Sequence, residues 1–342
     1  EIHERLVGSE MCIRDSSGSV EKITEKQMNK DQVTNPLEAI RGRVPGLTIQ
    51  RGTNGPAALD AVRLRGTTSL TSGNDPLIIV DGVFGDLSML TSIYPTDIES
   101  FTILKDASET AQYGSRGASG VIEVTTKKGM QGRTQVAYNG SFGISTVYKN
   151  LKMLSGDEFR SVASERGISI LDKGNNTNFQ KEIQQTGLQQ NHHVAFYGGS
   201  STSSYRVSLG FMDRQGVILN EDMKNFTSNM NMNQKMFDGF FDCELGMFGS
   251  ILKNHNLVDY QKTFYSAATF NPTYPNHKDP VTNSWDGITT ASQITNPLAW
   301  MQVDDDDATS HISTHARFTF NLMKELKLVL FGACLLYTSP SP

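Results

Sequence analysis

From residue 132 onward, apolar and polar residues alternate along several long segments, and this alternation constrains the fold more than any other feature of the chain. A period of two is typical of β-strands with one apolar and one polar face. The clearest apolar rows are Val136, Tyr138, Phe142 and Ile144; Tyr205, Val207, Leu209 and Phe211; Phe226, Met230 and Met232; Phe241, Cys243, Leu245, Met247 and Ile251; and Ile312, Ala316, Phe318 and Phe320. Two weaker segments near 190–198 and 326–333 bring the predicted strands to about seven, as the alternating pattern of a barrel wall allows.

The predicted connections between these strands alternate in length. They run over 146–188, 199–203, 214–224, 237–239, 254–307 and 322–325. Outer-membrane barrels have short periplasmic turns and long extracellular loops, whereas long unstructured loops are rare in compact soluble domains. The pattern therefore predicts antiparallel transmembrane β-barrel strands whose long loops are extracellular.

Composition agrees with a barrel and argues against other classes. Only 37% of the residues are hydrophobic, a value typical of soluble proteins, but it does not exclude a barrel, because a barrel strand exposes just every second residue to lipid. No run approaches the roughly 18 apolar residues of a membrane-spanning helix. The net charge of −5 and the scattered basic residues leave no footprint for nucleic acid. Cys12, Cys243 and Cys334 are too few and too dispersed for a disulfide framework or a zinc site.

Residues 17–129 instead alternate short strands and helices between frequent glycines. Asn35 and Pro36 predict a helix start, and the apolar stripe continues to Val44 before Pro45-Gly46 stops it. The predicted strands are Ala61–Arg65, Leu77–Val80 (buried on both faces), Phe101–Leu104 and Val121–Thr126, with a turn at Asp81-Gly82. A short helix over Asp106–Tyr113 is expected to end at Gly114 in a left-handed cap.

Four motifs in this region carry a family resemblance: NPLEAIRGRVPGLTIQ, VRLRG, PLIIVDGV and IESFTILKDASETAQYGSRGASGVIEVTTKKG. In this order and spacing they resemble the plug of the SusC/RagA family of TonB-linked outer-membrane proteins. The resemblance implies an α+β plug domain followed by antiparallel transmembrane β-barrel strands, about 7 of about 22. It also implies a Gram-negative, Bacteroidetes-like outer membrane and a plug rearranged by the TonB–ExbB–ExbD complex.

The function implied by the resemblance is energy-coupled import of an oligosaccharide or peptide ligand, with a SusD-like lipoprotein as the lid. Residues expected to face the substrate are Thr68, Ser69, Thr71 and Asn74 in the plug and Tyr260, Tyr265 and Trp285 in the long loop 254–307. The loop aromatics would stack on a sugar or pack a partner, or else pack the loop on itself. Two alternatives stay open: a siderophore or cobalamin receptor without a lid, and a β-rich surface adhesin.

Other patterns predict no catalysis, cofactor or metal site. The glycines of GSRGASG lack the spacing of a phosphate loop and are interpreted as tight-turn residues. His311 and His315 lie in a strand pattern, roughly 13 Å apart along one lumen-facing row, and do not suit a shared metal. Asp304–Asp307 fits a solvated loop better than a calcium site, which stays open as an alternative. A secreted glycan hydrolase would need an acid/base pair, and none is evident.

The two ends differ in pattern from the sequence that they flank. Residues 1–16 and 334–342 resemble translated adapter sequence, the alternative being disordered natural termini. The chain opens on Glu1 without a secretion signal, which predicts a fragment of a longer exported protein. The expected organisation is a plug over 17–129 and the first part of the barrel over 130–333.

Overall fold

The computed structural model describes residues 20–29, 35–50, 52, 61–64, 66, 74–257, 259–287, 295–303, 305–323 and 325–338. Its first unit is a plug built on a five-stranded sheet and a separate two-stranded ladder. The five strands are β1 (Val20–Thr24), β4 (Leu77–Val80), β5 (Val83–Gly85), β6 (Ile98–Leu104) and β7 (Val121–Thr126), and the ladder pairs β2 (Leu47–Gln50) with β3 (Ala61–Leu64). The order in the large sheet is β1-β6-β7-β4-β5.

Every residue of β4 is buried, as its continuous apolar run predicts. The strand pairs in parallel with β7 and antiparallel with β5, through a turn in which Asp81 and Gly82 adopt φ of 50° and 89°. Asp81 also accepts hydrogen bonds from the backbone N and the hydroxyl of Thr126, at 2.9 and 2.6 Å. The Asp-Gly turn therefore fixes both the hairpin and the end of β7.

Two helices of the plug differ from the sequence prediction. Helix α1 (Pro36–Ile40) begins where predicted, with the Asn35 side chain accepting from the backbone N of Leu37, but it stops four residues before Val44. Gly42 at a φ of 72° turns the chain there, so Val44 reaches the core from a turn. The other helices are α2 (Leu87–Ser92) and α3 (Ala107–Thr110).

Helix α3 does not end in a left-handed cap at Gly114. It passes into a 3₁₀ segment, Ala111–Gly117, within which Gly114 has φ 60° and ψ −145°. Of the following glycines, Gly120 combines a φ of 94° with close packing, since a Cβ there would lie 2.6 Å from Leu64 Cδ1. This glycine permits the close approach of the β2–β3 ladder to the start of β7.

The second unit is a seven-stranded antiparallel sheet, here called the wall. Its strands follow one another in chain order: β8 (Gly132–Ser145), β9 (Gly187–Gly199), β10 (Ser203–Gln215), β11 (Asp222–Met236), β12 (Phe241–His255), β13 (Asp306–Met323) and β14 (Leu326–Thr338). The predicted strands are confirmed to within a few residues at most ends. The last strand runs beyond residue 333, as far as Thr338.

The long connections of the wall hold helices that the sequence analysis did not predict. Helices α4 (Gly156–Glu165) and α5 (Phe179–Glu182) lie between β8 and β9, and α6 (Tyr260–Thr269) and α7 (Pro297–Trp300) lie between β12 and β13. Ser155 and Glu158 form a capping box at the start of α4. The loops are thus folded structures in their own right.

Candidate functional site

The wall is mostly polar where it is buried and mostly apolar where it is exposed. Its inner face, which covers the plug, buries Asn191, His193, Arg206, Ser208, Asn225, Thr227, Asn229, Asn231, Ser250, His311 and Ser313. Its outer face exposes Phe196, Leu209, Phe211, Phe226, Met230, Leu245, Met247, Ile251 and Ile312. Water disfavours so large an exposed apolar face, whereas lipid favours it. The wall therefore has the polarity of a barrel segment with lipid outside and a plug inside.

The plug is held to this wall by a buried carboxylate, Asp97, at the end of a 3₁₀ turn (Pro95–Asp97). Arg206 Nη2 donates to Asp97 Oδ1 at 2.9 Å, and the Ser208 hydroxyl donates to Oδ2 at 2.8 Å. His193 Nε2 lies 3.0 Å from Oδ1. We call these four residues the Asp97 cluster. It joins the plug to β9 and β10.

The electrostatics of the cluster favour an ionised Asp97. Burial raises the pKa of Asp97, but the close contact with His193 and the hydrogen bonds from Arg206 and Ser208 together outweigh burial and place the pKa below its ordinary value. The same groups lose their water when the plug is seated. Removing either Asp97 or Arg206 would leave the other charge buried without a partner, and this would destabilise the seated plug strongly.

Tyr94 seats the same turn against the wall. Its ring stacks on His193 with centroids 4.6 Å apart and an interplanar angle of 23°. The ring also covers Gly210, where a Cβ would lie 2.6 Å from Tyr94 Cδ2. Gly210 is therefore the position at which the wall makes room for the plug.

A second plug–wall contact, on β12 to β14, is partly apolar. Phe248 faces inward from β12 and joins the main core cluster of the plug, and Leu335 of β14 packs against that cluster. Beside it, Glu244 pairs with Lys128 at the end of the plug and lies 3.6 Å from Arg317. Both contacts between plug and wall thus combine charged and apolar groups, since Tyr94, next to the Asp97 cluster, packs with Met212 and Met223 of the wall.

Beyond the other end of the strands, described residues of the connections 146–186, 216–221 and 256–305 pack into a shared apolar cluster, here called the loop cluster. Its buried members are Phe179, Ile183, Ile218, Leu257, Ala267, Phe270 and Met301. Backbone bonds from Asn175 N to Thr273 O at 3.0 Å and from Thr177 N to Pro272 O at 2.8 Å join the two long loops. Packing and a short ladder therefore hold the loops together.

One buried carboxylate beside the loop cluster, Glu221, has an oxygen without a hydrogen-bond partner among the described residues. Glu221 is 3% exposed, and its Oε1 has no hydrogen-bond partner among the described residues. Burial raises the pKa of Glu221 to about 7. Burial and then the charge of Glu221 raise the pKa of Tyr260 to about 12. The base of the loops therefore carries a group that titrates near neutral pH.

A cavity of about 400 Å³ opens between the two long loops. Met153, Leu154 and Phe159 line it from one loop, and Ala267, Phe270 and Pro272 line it from the other. Its size falls in the range of small-ligand sites. Its amide groups, among them Asn176 and Gln180, are already hydrogen-bonded within the loops, so the cavity offers mainly apolar surface.

The residues predicted to face substrate are spread over the molecule. Thr68, Ser69 and Thr71 lie outside the described residues, and Asn74 is half-buried at the end of that segment. Tyr260 packs on the loop cluster with its ring 4.8 Å from Phe264. Tyr265 is 59% exposed on α6. Trp285 is half-buried, and its indole N–H has no partner among the described residues.

The histidines and acidic residues that the sequence offered as metal ligands do not form a metal site among the described residues. His311 and His315 both lie on the inner side of β13, and His311 is 2% exposed. Nowhere in the described part of the chain do three or more His, Cys, Asp or Glu side chains come together to hold a metal. Of the acidic run, Asp306 contacts His255 Nδ1 at 2.7 Å and Asp304 lies outside the described residues. No helix within the described ranges is long and apolar enough to cross a membrane.

Sequence reasoning missed the Asp97 cluster, Phe248 and Glu221. Arg206 and His193 occupy inward positions on two neighbouring strands, and that placement was a usable signal for a buried acidic partner. Nothing in the local pattern identified that partner as Asp97, which lies 109 residues from Arg206. Phe248 and Leu252 are the apolar side chains of the inward row of β12, and they could have indicated apolar contacts with the plug.

Comparisons with known proteins agree with this architecture. The family model described as the TonB-dependent receptor plug domain matches residues 13–121. The TonB-dependent receptor SusC of Bacteroides thetaiotaomicron is 32% identical over 347 aligned residues, which cover 92% of this chain and 34% of SusC. TonB-dependent receptor P3 of Formosa agariphila is 38% identical over 219 residues, covering 64% of this chain and 22% of that protein.

Solved structures show the same fold. The RagAB peptide importer in its closed-closed state matches with a TM-score of 0.79 at 23% identity, over 95% of this chain and 41% of that one. The ferric enterobactin receptor of Pseudomonas aeruginosa matches with a TM-score of 0.55 at 12% identity. Plug, wall and relatives together define this chain as the plug and part of the barrel wall of a TonB-dependent outer-membrane receptor. Within that class, sequence identity to SusC and the fold shared with RagAB support a relationship to the SusC/RagA family, and the chain spans about a third or less of the length of the curated relatives it matches.

Proposed function

We propose that this chain supplies the plug and the first wall strands of an importer that takes up oligosaccharides or peptides across a Bacteroidetes-like outer membrane. The observation that carries the proposal is the plug itself: a folded unit sealed to the inner side of a lipid-facing wall by buried polar contacts. A pore closed in this way passes no large solute until the plug moves. The energy for that movement comes from the TonB–ExbB–ExbD complex in this proposal.

The proposal also divides the chain into a plug and a part of the barrel. Residues 17–129 form the plug and residues 130–333 the first part of the barrel, with a SusD-like lipoprotein covering the extracellular mouth. Substrate would meet the plug loop containing Asn74 and the loop aromatics Tyr265 and Trp285. Support for the lid comes from the fold shared with the RagAB peptide importer.

The proposal is tested by uptake into cells. Cells that carry the full-length protein should take up fluorescent oligosaccharide or peptide, and loss of TonB or of the SusD-like partner should abolish most of that uptake. Undiminished uptake without TonB would refute energy coupling. Full uptake without the lipoprotein would favour the alternative of a receptor that works alone, as for siderophores or cobalamin.

Substrate contact is tested at the loop aromatics. Tyr265→Ala and Trp285→Ala should each weaken ligand binding about fivefold or more, because stacking on an aromatic ring is worth about 1 kcal/mol or more. Tyr148→Ala, which removes an equally large but fully exposed ring, serves as the matched control. Equal affinity of all three variants and the wild type, measured by calorimetry, would remove these aromatics from the site.

A further inference from the structure

The outer face of the wall changes from apolar to charged at one level. Phe211, Phe226 and Ile251 lie side by side on β10, β11 and β12 and form the last apolar row before the long loops. Two residues further along each strand, the register places Asp213, Lys224 and Lys253 side by side on the same face. The boundary between apolar and charged residues therefore lies at the same level on all three neighbouring strands.

The height of the apolar band fits a membrane. On β11 the outer-facing residues run from Met236 to Phe226, and on β12 from Phe241 to Ile251. Ten residues at about 3.3 Å each span about 33 Å along a strand, and a strand tilt of about 40° reduces this to about 25 Å. That is the height of the lipid-facing band of outer-membrane barrels. Lys224 and Lys253 thus lie at the upper edge of the band, on the side of the long loops.

The two lysines are placed as a pair without a protein counter-ion. They are directly opposite each other in the β11–β12 register, and both are exposed. Like charges in that arrangement repel. Neither ammonium forms an ion pair or a hydrogen bond with any described residue, although Asp213 lies across from Lys224. Asp213 instead accepts from Gln190 Nε2 at 3.4 Å.

The neighbouring charges restrict where an anion can bind. Asp222 and Asp306 lie in the next row outward, and Asp306 is held by His255 at 2.7 Å. An anion is therefore repelled above the lysine row and excluded by the apolar row below it. The space between the two ammonium groups remains the favourable position.

We propose that Lys224 and Lys253 bind a phosphate group of the lipid headgroups in the outer leaflet, with the acyl chains lying along Phe226 and Ile251. The lysine row at the edge of the band suits the anionic head of such a lipid, and the apolar row within the band suits its tail. The site concerns the seating of the barrel in its membrane. It depends on the direction of the strands and not on which nutrient is imported.

The test uses the full-length protein extracted from its outer membrane into detergent. The probes are lipid A with its phosphates, lipid A from which the phosphates have been removed, and inorganic phosphate, each followed by native mass spectrometry. The wild type should retain phosphorylated lipid A. The double variant Lys224→Ala/Lys253→Ala should bind it about thirtyfold more weakly, since each lysine at an anionic lipid surface contributes about 1 kcal/mol.

Two further variants make the result specific. Lys224→Arg/Lys253→Arg should keep the affinity, because the charges remain, and Lys235→Ala, on the same strand at the opposite end, should have no effect. Circular dichroism checks that each variant is folded. Equal binding of lipid A without phosphates, or unchanged binding by the double alanine variant, would overturn the proposal. Displacement of lipid A by an equal concentration of inorganic phosphate would assign a free-anion site and overturn the lipid.

Discussion

At the scale of single residues, Asp97 is the most heavily engaged side chain between plug and wall, and its removal has a defined consequence. Asp97→Asn leaves Arg206 buried beside a neutral amide, which we expect to destabilise the seated plug by about 3 kcal/mol. Limited proteolysis of outer membranes that contain the full-length protein should then cut the plug at lower urea concentration. Asp75→Asn, at an exposed position of the plug, is the control.

The pH dependence of this contact follows from the lowered pKa of Asp97. Its contribution is present above the ordinary Asp pKa of about 3.9 and is lost as the pH falls through the lower folded value.

Restoring neutrality by the double variant Asp97→Asn/Arg206→Gln should recover part of the lost stability, because no charge is then left unpaired. Equal protease resistance of wild type and Asp97→Asn would contradict a sealing role.

The raised pKa of Glu221 predicts that the stability of the loop cluster depends on pH in the opposite direction. Its folded pKa of about 7 lies above the ordinary value of 4.5, so its favourable contribution is complete below 4.5 and is lost as the pH rises through 7. Between these values the loop cluster should lose roughly 3 kcal/mol of stability. The protection factors of α6 against hydrogen exchange, taken relative to unstructured amides at the same pH, should therefore be lower at pH 8 than at pH 5, and Glu221→Gln should remove most of that difference. The exposed Glu165→Gln should leave it unchanged.

At the scale of elements, strand alternation made the wall predictable, whereas the loops were not. Side chains on a strand take their direction from a period of two, so inner and outer faces follow from the sequence alone. Helix α6 was missed because its flanking loop has no comparable pattern and gains its order from contacts with the loop 146–186. Helix α1 ended early for a similar reason, since Gly42 adopts a positive φ that the stripe to Val44 did not reveal.

The direction of the strands is itself testable at this scale. Val281 is 90% exposed in the long loop between β12 and β13, and Asp238 lies in the short turn between β11 and β12. In whole cells that carry the full-length protein, Val281→Cys should react with a membrane-impermeant maleimide and Asp238→Cys should react only after the cells are opened. Labelling of Asp238→Cys alone in intact cells would reverse the topology and with it the lipid site at Lys224.

At the scale of the whole molecule, the wall has two unpaired edges. In the seven-stranded sheet, β8 and β14 each pair on one side only. In lipid an unpaired backbone group costs several kcal/mol, and in water an unpaired edge beside an apolar face recruits other chains. Neither solvent suits the 342-residue chain by itself.

We therefore expect the chain expressed alone to aggregate, while the plug over residues 17–129, which has its own buried core, should remain at least partly soluble. Light scattering and circular dichroism of both preparations provide the measurement. Replacing outward Phe211, Phe226 and Met247 by Ser should reduce aggregation of the whole chain but not remove it, because the edges stay open. A monodisperse, folded monomer of the whole wild-type chain in water would contradict the lipid-facing assignment of the wall, since it would require that same outer face to be stable in contact with water.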